Sequence, residues 1–202
     1  VIFPNVAALR ARDWRHKNGY TYGLHGTPTT FTLEERLATL EGGTYCALAP
    51  SGLAAIATVN VGLLQHGDEV LLPDNVYGPS REMARTLLAD WGVTHRLYDP
   101  LDVAGFEAMI GARTKLVWLE APGSITMEFP DLRALVRAAR ARGLLTALDN
   151  TWGAGVAFNA FALGDGLAVD LSMHALTKYP SGGADVLMGS VVTRDEKLHH
   201  QL

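Results

Sequence analysis

Lys178 stands directly after Thr177 in "SMHALTKYPSGG", and Asp149 closes the apolar run "LLTALDN" 29 positions earlier. A lysine amine can form a Schiff base with an aldehyde. A carboxylate can hold a pyridine nitrogen in its protonated form. Together the two residue types suit amine chemistry on an electron-withdrawing ring. Alone, each is ordinary. An aspartate at a strand end commonly caps a helix or forms a turn, and a lone lysine is commonly a solvated charge. The pair gains meaning from the sequence around it.

Those two residues need a scaffold, and the chain alternates strand and helix patterns, which predicts an α/β domain with a mostly parallel sheet flanked by helices. The segments "TYCALAP", "EVLLP", "VTHRLYD", "TKLVWLE", "LLTALDN", "VDLSMHA" and "VLMGSVVT" read as strands. The segments "GLAAIATVNVGLLQ", "GPSREMARTLLADWG", "VAGFEAMIG" and "FPDLRALVRAARARG" read as helices between them. In the last of these, Asp131 near the start and arginines toward the end suit the helix dipole. Residues 1–30 are polar, aromatic and rich in turn formers, with little apolar periodicity of their own. They read as an arm that lies over a partner surface, and residues 31–202 as the α/β domain.

Open α/β sheets bind ligands at the carboxyl ends of their strands, and further candidates fall there. Ser51-Gly52 follows "TYCALAP" and opens a helix, whose free amides and positive dipole end could hold a phosphate; a simple serine N-cap is the plainer alternative. Tyr77 follows "EVLLPDN" and is either a half-buried aromatic or a wall of the site. Glu120 ends "TKLVWLE" and either helps organise the site floor or serves a turn. His174, His199 and His200 lack the spacing of a helical zinc pair and are not accompanied by clustered cysteines, so no metal is expected.

The 202 residues are 48% hydrophobic and 19% charged, ordinary for a globular domain with one substantial core. A formal net charge of −4 gives no sign of a nucleic-acid or anionic-membrane partner. No apolar stretch of about 20 residues suggests a membrane span. The single cysteine, Cys46, sits in an apolar run and reads as a buried, inert thiol. It fits a reducing cytoplasm.

The motifs "ALDNTWGAG" and "HALTKY" resemble the pyridoxal-phosphate enzymes of cysteine and methionine metabolism, which are fold-type I proteins with an aspartate-aminotransferase-like architecture. The stretches "YTYGLHGTPTTFTLEERLATLEGG", "APSGLAAIATVNVGLLQHGDEVLLPDNVYGPS" and "LVWLEAPGSITMEFPDL" agree with the family in order and spacing. The resemblance covers nearly all of the chain from about Tyr20. It implies pyridoxal 5'-phosphate as cofactor, Lys178 as its Schiff-base lysine and Asp149 at its ring nitrogen. It implies that Tyr77 stacks on the ring, and that Ser51, Gly52, Leu53 and Thr177 lie about the phosphate. It also implies that Tyr22, in the arm, reaches a neighbouring subunit's phosphate across a homodimer or homotetramer interface. Relatives run to roughly twice this length, so the resemblance implies that a C-terminal domain is absent from this chain.

Within the family, "NVYGPS" and "PGSITMEFPDL" are most similar to the branch that performs β-elimination on thioether amino acids. That implies cleavage of cystathionine to homocysteine, pyruvate and ammonia. A γ-lyase or γ-synthase is the nearest rival, but many of those show Glu-x-Pro-x-Asn-Pro where this chain has Glu120-Ala121-Pro122-Gly123-Ser124-Ile125. A catalytically dead assembly remnant is the rival of another class. Three departures bear on it. Leu24 stands where many relatives have a phosphate-clamping arginine, a loss that is not conservative, and His25 beside it is a candidate substitute. Ala175 stands where relatives often have serine, and Gly182-Gly183 where many show Gly-His.

Overall fold

The computed structural model describes residues 1–14, 16, 17 and 19–202; Arg15 and Asn18 of the N-terminal segment lie outside the described residues. Seven strands form one sheet, β1 (Tyr45–Ala49), β2 (Glu69–Pro73), β3 (Thr94–Tyr98), β4 (Thr114–Glu120), β5 (Leu145–Asp149), β6 (Leu171–Ala175) and β7 (Gly189–Thr193). Their spatial order is β1-β7-β6-β5-β4-β2-β3. The pairs β2–β3, β2–β4, β4–β5 and β5–β6 are parallel, whereas β7 runs antiparallel to both β1 and β6. Six strands therefore point the same way, and β7 alone is reversed. All six deliver their carboxyl ends to one edge of the sheet, where ligands of open α/β folds bind.

Both faces of the sheet are covered, which is why β2 and β4 read as continuous apolar runs rather than alternating ones. On one face Leu71, Val117, Leu119 and Leu148 pack with Phe106, Leu135 and Ala139. These last residues come from α5 (Val103–Met109) and α6 (Leu132–Ala141). On the other face Val70, Leu72, Leu116, Trp118 and Ala147 pack with Ile56 and Val59 of α3 (Gly52–Leu63) and Met83 of α4 (Gly78–Met83). The period-2 alternation of strand side chains assigns the neighbours Leu71 and Leu72 to opposite cores. Trp118 is buried with its indole N–H donated to Asn60 Oδ1 at 2.9 Å, so its polar atom is satisfied inside the apolar layer.

Six of the described α-helices carry side-chain N-caps that the sequence supplies, among them α3, α5 and α6. Ser51 Oγ accepts from the Ala54 N–H at 3.0 Å, Asp102 Oδ1 from Gly105 at 2.9 Å, and Asp131 Oδ1 from Ala134 at 3.0 Å. The helix expected over "GPSREMARTLLADWG" is regular only through Met83, and Ala84–Leu88 form a π turn before Gly92 stops it at a φ of +77°. The strand expected from Val186 begins at Gly189 instead. The ladder there is anchored by a close approach: a Cβ on Gly189 would stand 2.3 Å from the Ser51 carbonyl oxygen.

Before the sheet come α1 (Val6–Arg10), with no buried residue, and α2 (Pro28–Glu41), which opens on a Thr27–Thr30 capping box. A last helix, α7 (Glu196–Gln201), packs on β1 and β7. No helix among the described residues is long and apolar enough to cross a membrane. Cys46 is buried as expected, and burial pushes its thiol far above the usual range, which keeps it a poor nucleophile.

Candidate active site

The carboxyl ends of β2, β4, β5 and β6, with the start of α3, enclose a cavity of about 90 Å³ lined by Gly52, Leu53, Tyr77, Glu120, Asp149 and Lys178, among others. It opens into a larger space of about 690 Å³ that shares Tyr77, Ser124, Thr151, Trp152 and Lys178. Six of the nine site candidates singled out from the sequence thus meet at one place. Ser51 and Thr177 flank it. The Ser51 hydroxyl is occupied as the α3 N-cap, and Thr177 Oγ1 lies 3.4 Å from both the carbonyl and the N–H of Met188. Tyr22 is outside this cavity. It is 64% exposed and meets His25 edge-on, 6.1 Å between ring centroids.

Each lining residue has a local reason to be there. Gly52 must be a glycine for α3 to start against β6, since a Cβ would stand 2.7 Å from the Ala175 Cβ. That close approach aims the first turn of α3, with its unpaired amides, at the cavity mouth. Tyr77 precedes α4 and is fixed through its backbone, whose N–H donates to Glu120 Oε1 at 2.8 Å. Lys178 follows β6 after a turn in which its N–H donates to the Ala175 carbonyl at 3.1 Å. Its side chain has no hydrogen bond or ion pair among the described residues. The amine is therefore free to react rather than held as half of a salt bridge.

Two carboxyls form the floor. Glu120 and Asp149 are direct partners in the parallel pairing of β4 with β5. Asp149 Oδ1 accepts the Thr151 N–H at 3.0 Å. Its pKa is raised because burial disfavours the charge, against the stabilising bonds from Thr151. Glu120 Oε1 and Oε2 take the Tyr77 and Ser124 N–H groups, the latter at 2.9 Å. Burial first, and the neighbouring Asp149 second, push Glu120 up to about 7. A cationic group placed between Lys178 and Asp149 would offset that burial and favour the ionised aspartate.

Behind this floor lies a polar cluster that sequence reasoning missed. Glu41, at the end of α2, is fully buried. Its Oε2 accepts from Ser172 Oγ at 2.5 Å and Asn150 Nδ2 at 3.0 Å, and its Oε1 lies 3.0 Å from His174 Nδ1. His174 is fully buried as well. The signal available in the sequence was weak: a glutamate closing a helix of weak apolar periodicity, 133 positions from its histidine. Among the described residues no group of three His, Cys, Asp or Glu side chains is placed to hold a metal ion.

The family profile described as Cys/Met metabolism PLP-dependent enzyme matches residues 3–202. The chain belongs to that family. The cystathionine beta-lyase of Bordetella avium is 40% identical over 205 residues, covering all of this chain and 50% of that protein. The structure of cystathionine gamma-lyase from Lactobacillus plantarum, complexed with L-serine, is 31% identical with a TM-score of 0.81, covering 92% of this chain and 47% of that one. A Campylobacter jejuni structure solved with N'-pyridoxyl-lysine-5'-monophosphate is 27% identical with a TM-score of 0.89, covering all of this chain and 49% of that one. The fold is thus the fold-type I architecture of these enzymes, and the family is dependent on pyridoxal phosphate. The chain spans about half the length of the curated relatives it matches.

Proposed function

We propose that the cavity between Lys178, Asp149 and Tyr77 binds pyridoxal 5'-phosphate and that the protein cleaves a carbon–sulfur bond in a sulfur amino acid by β-elimination. One observation carries the reading: an unpaired lysine amine and a half-buried carboxylate face the same cavity from the ends of parallel strands, with an aromatic wall beside them. The donor set suits the cofactor. Asp149 would meet its ring nitrogen, Lys178 its aldehyde carbon and Tyr77 its ring face. The first turn of α3 at Gly52 and Leu53, with Ser51 and Thr177 close by, would meet its phosphate. When bound, the cofactor supplies an aldehyde that exchanges amines and a ring that withdraws electrons from the substrate Cα.

The chain's own residues then have defined tasks. Asp149 keeps a proton on the ring nitrogen by placing negative charge beside it. Lys178 takes the Cα proton of the substrate and can return a proton to the departing sulfur. With cystathionine as substrate, cystathionine and one water give homocysteine, pyruvate and ammonia. The sequence Pro122-Gly123-Ser124-Ile125 and the 40% identity to a cystathionine beta-lyase favour β-elimination. A γ-lyase of the same family is the second reading, favoured by the similarity to the Lactobacillus structure.

The mouth of the site is incomplete within this chain. Ile125, Phe129, Val156 and Leu187 stand exposed in the segments flanking it. Phosphate donors within this chain would be few, because Leu24 stands where many relatives have an arginine and Tyr22 lies outside its own cavity. These features support residues 1–30 as an arm that serves a neighbouring subunit of a homodimer or homotetramer, with 31–202 as the cofactor domain. A small-molecule amino-acid substrate and a cytoplasmic location belong to the same reading. Adding pyridoxal phosphate to the protein tests the reading. A visible absorbance band that borohydride abolishes supports it, and an unbound, unshifted cofactor spectrum refutes it and leaves the inactive-scaffold alternative.

A further inference from the structure

Glu120 is only 4% exposed, carries a carboxylate, and has no cationic partner among the described residues. Such a burial is costly unless the oxygens are well bonded. Both are bonded, and both to backbone: Oε1 to the Tyr77 N–H at 2.8 Å and Oε2 to the Ser124 N–H at 2.9 Å. Tyr77 and Ser124 belong to separate segments that form two walls of the same cavity. We propose that Glu120 is a positioning residue, whose two oxygens hold the Tyr77 wall and the Ser124 wall at a fixed separation and so set the slot that receives the cofactor ring. The role rests on the reading of the cavity as a pyridoxal-phosphate site.

A second set of contacts ties the same two segments further out. Asn75 Nδ2 donates to Thr126 Oγ1 at 3.0 Å and to Glu128 Oε2 at 3.1 Å, while within the Ser124 segment itself the Gly123 N–H donates to the Glu128 carbonyl at 3.0 Å. Gly123 lies so near that a Cβ there would stand 2.3 Å from Asn75 Nδ2. The segments are therefore joined at two levels, side-chain amide outside and carboxylate inside. Only the inner level touches Tyr77. Glutamine at 120 would keep the length but offer one accepting oxygen instead of two. Burial raises the pKa of Glu120 against the pull of its two N–H donors, which favour the charged form.

Amide hydrogen exchange on the cofactor-free protein tests the clasp, and pyridoxal-phosphate binding tests its consequence. In the unmutated protein the Tyr77 and Ser124 amides exchange slowly. In Glu120→Gln at least one of them exchanges about tenfold faster or more, while core amides such as that of Leu148 are unchanged. The visible circular dichroism of bound cofactor, which reports ring orientation, changes in Glu120→Gln although borohydride still labels Lys178. Unprotected Tyr77 and Ser124 amides in the unmutated protein overturn the clasp, even where the variant fails to fold. Wild-type exchange at both amides in the variant also overturns it, as does an unaltered dichroic band. Absence of any cofactor band in the unmutated protein refutes the cofactor reading instead, and the exchange rates still decide the clasp.

Discussion

Glu120 and Asp149 face each other as register partners at the carboxyl ends of neighbouring parallel strands, a buried and a half-buried acid side by side at the floor of one cavity. The pairing makes each raise the cost of charge on the other. It also separates their tasks, since Asp149 leaves one oxygen for a ligand whereas Glu120 spends both on backbone N–H groups.

That difference has a pH consequence for Glu120. Its folded-state pKa is raised from 4.5 to about 7. Between these values the folded protein binds a proton that the unfolded chain has lost. Stability therefore falls as pH rises through this window and levels off above it. A shift of this size corresponds to at most about 3 kcal/mol. Urea denaturation of the unmutated protein and Glu120→Gln from pH 5 to 8 measures it. The unmutated protein should lose stability relative to the variant as pH rises; a constant difference would show that Glu120 titrates normally.

Asp149→Asn should separate binding from turnover. The amide cannot supply negative charge to a ring nitrogen, so the step that needs a protonated ring becomes difficult. Pyridoxal phosphate should still bind, because Lys178 and the α3 start are untouched. Turnover of a thioether amino acid should fall by about 100-fold or more, a typical cost for removing one electrostatic group from a reacting centre. Parent-level turnover would make Asp149 a structural residue.

Tyr22→Ala and Lys178→Ala test the arm. If the arm completes a neighbour's site, a mixed pair of the two variants has one site with both defects and one with neither, as a two-fold arrangement requires. Mixing should restore part of the activity that each variant lacks. Verified subunit exchange with no recovery would confine Tyr22 to its own subunit or to no site at all.

Much of the fold was legible because its signals are local. The runs "EVLLP" and "TKLVWLE" are buried on both faces and coincide with β2 and β4. The caps Ser51 and Asp131 fall where the helices begin. The reversal of β7 was not legible, because a fully buried strand is apolar whichever way it runs. The π turn at Ala84–Leu88 likewise leaves no trace in apolar periodicity. Site residues that follow strands were found by the rule that ligands gather at carboxyl ends. The Glu41–His174 cluster was missed because long sequence separation hides a contact between a helix end and a strand. For Ser51 the plainer expectation also holds in the structure, since its hydroxyl caps α3.

The central claim is that Lys178 carries the cofactor. Reduction of the protein with borohydride after incubation with pyridoxal phosphate, followed by peptide mapping, measures it. The account predicts one pyridoxyl-modified peptide, containing Thr177-Lys178-Tyr179. A label on Lys115 or Lys197 instead, or no specific label at all, would contradict it.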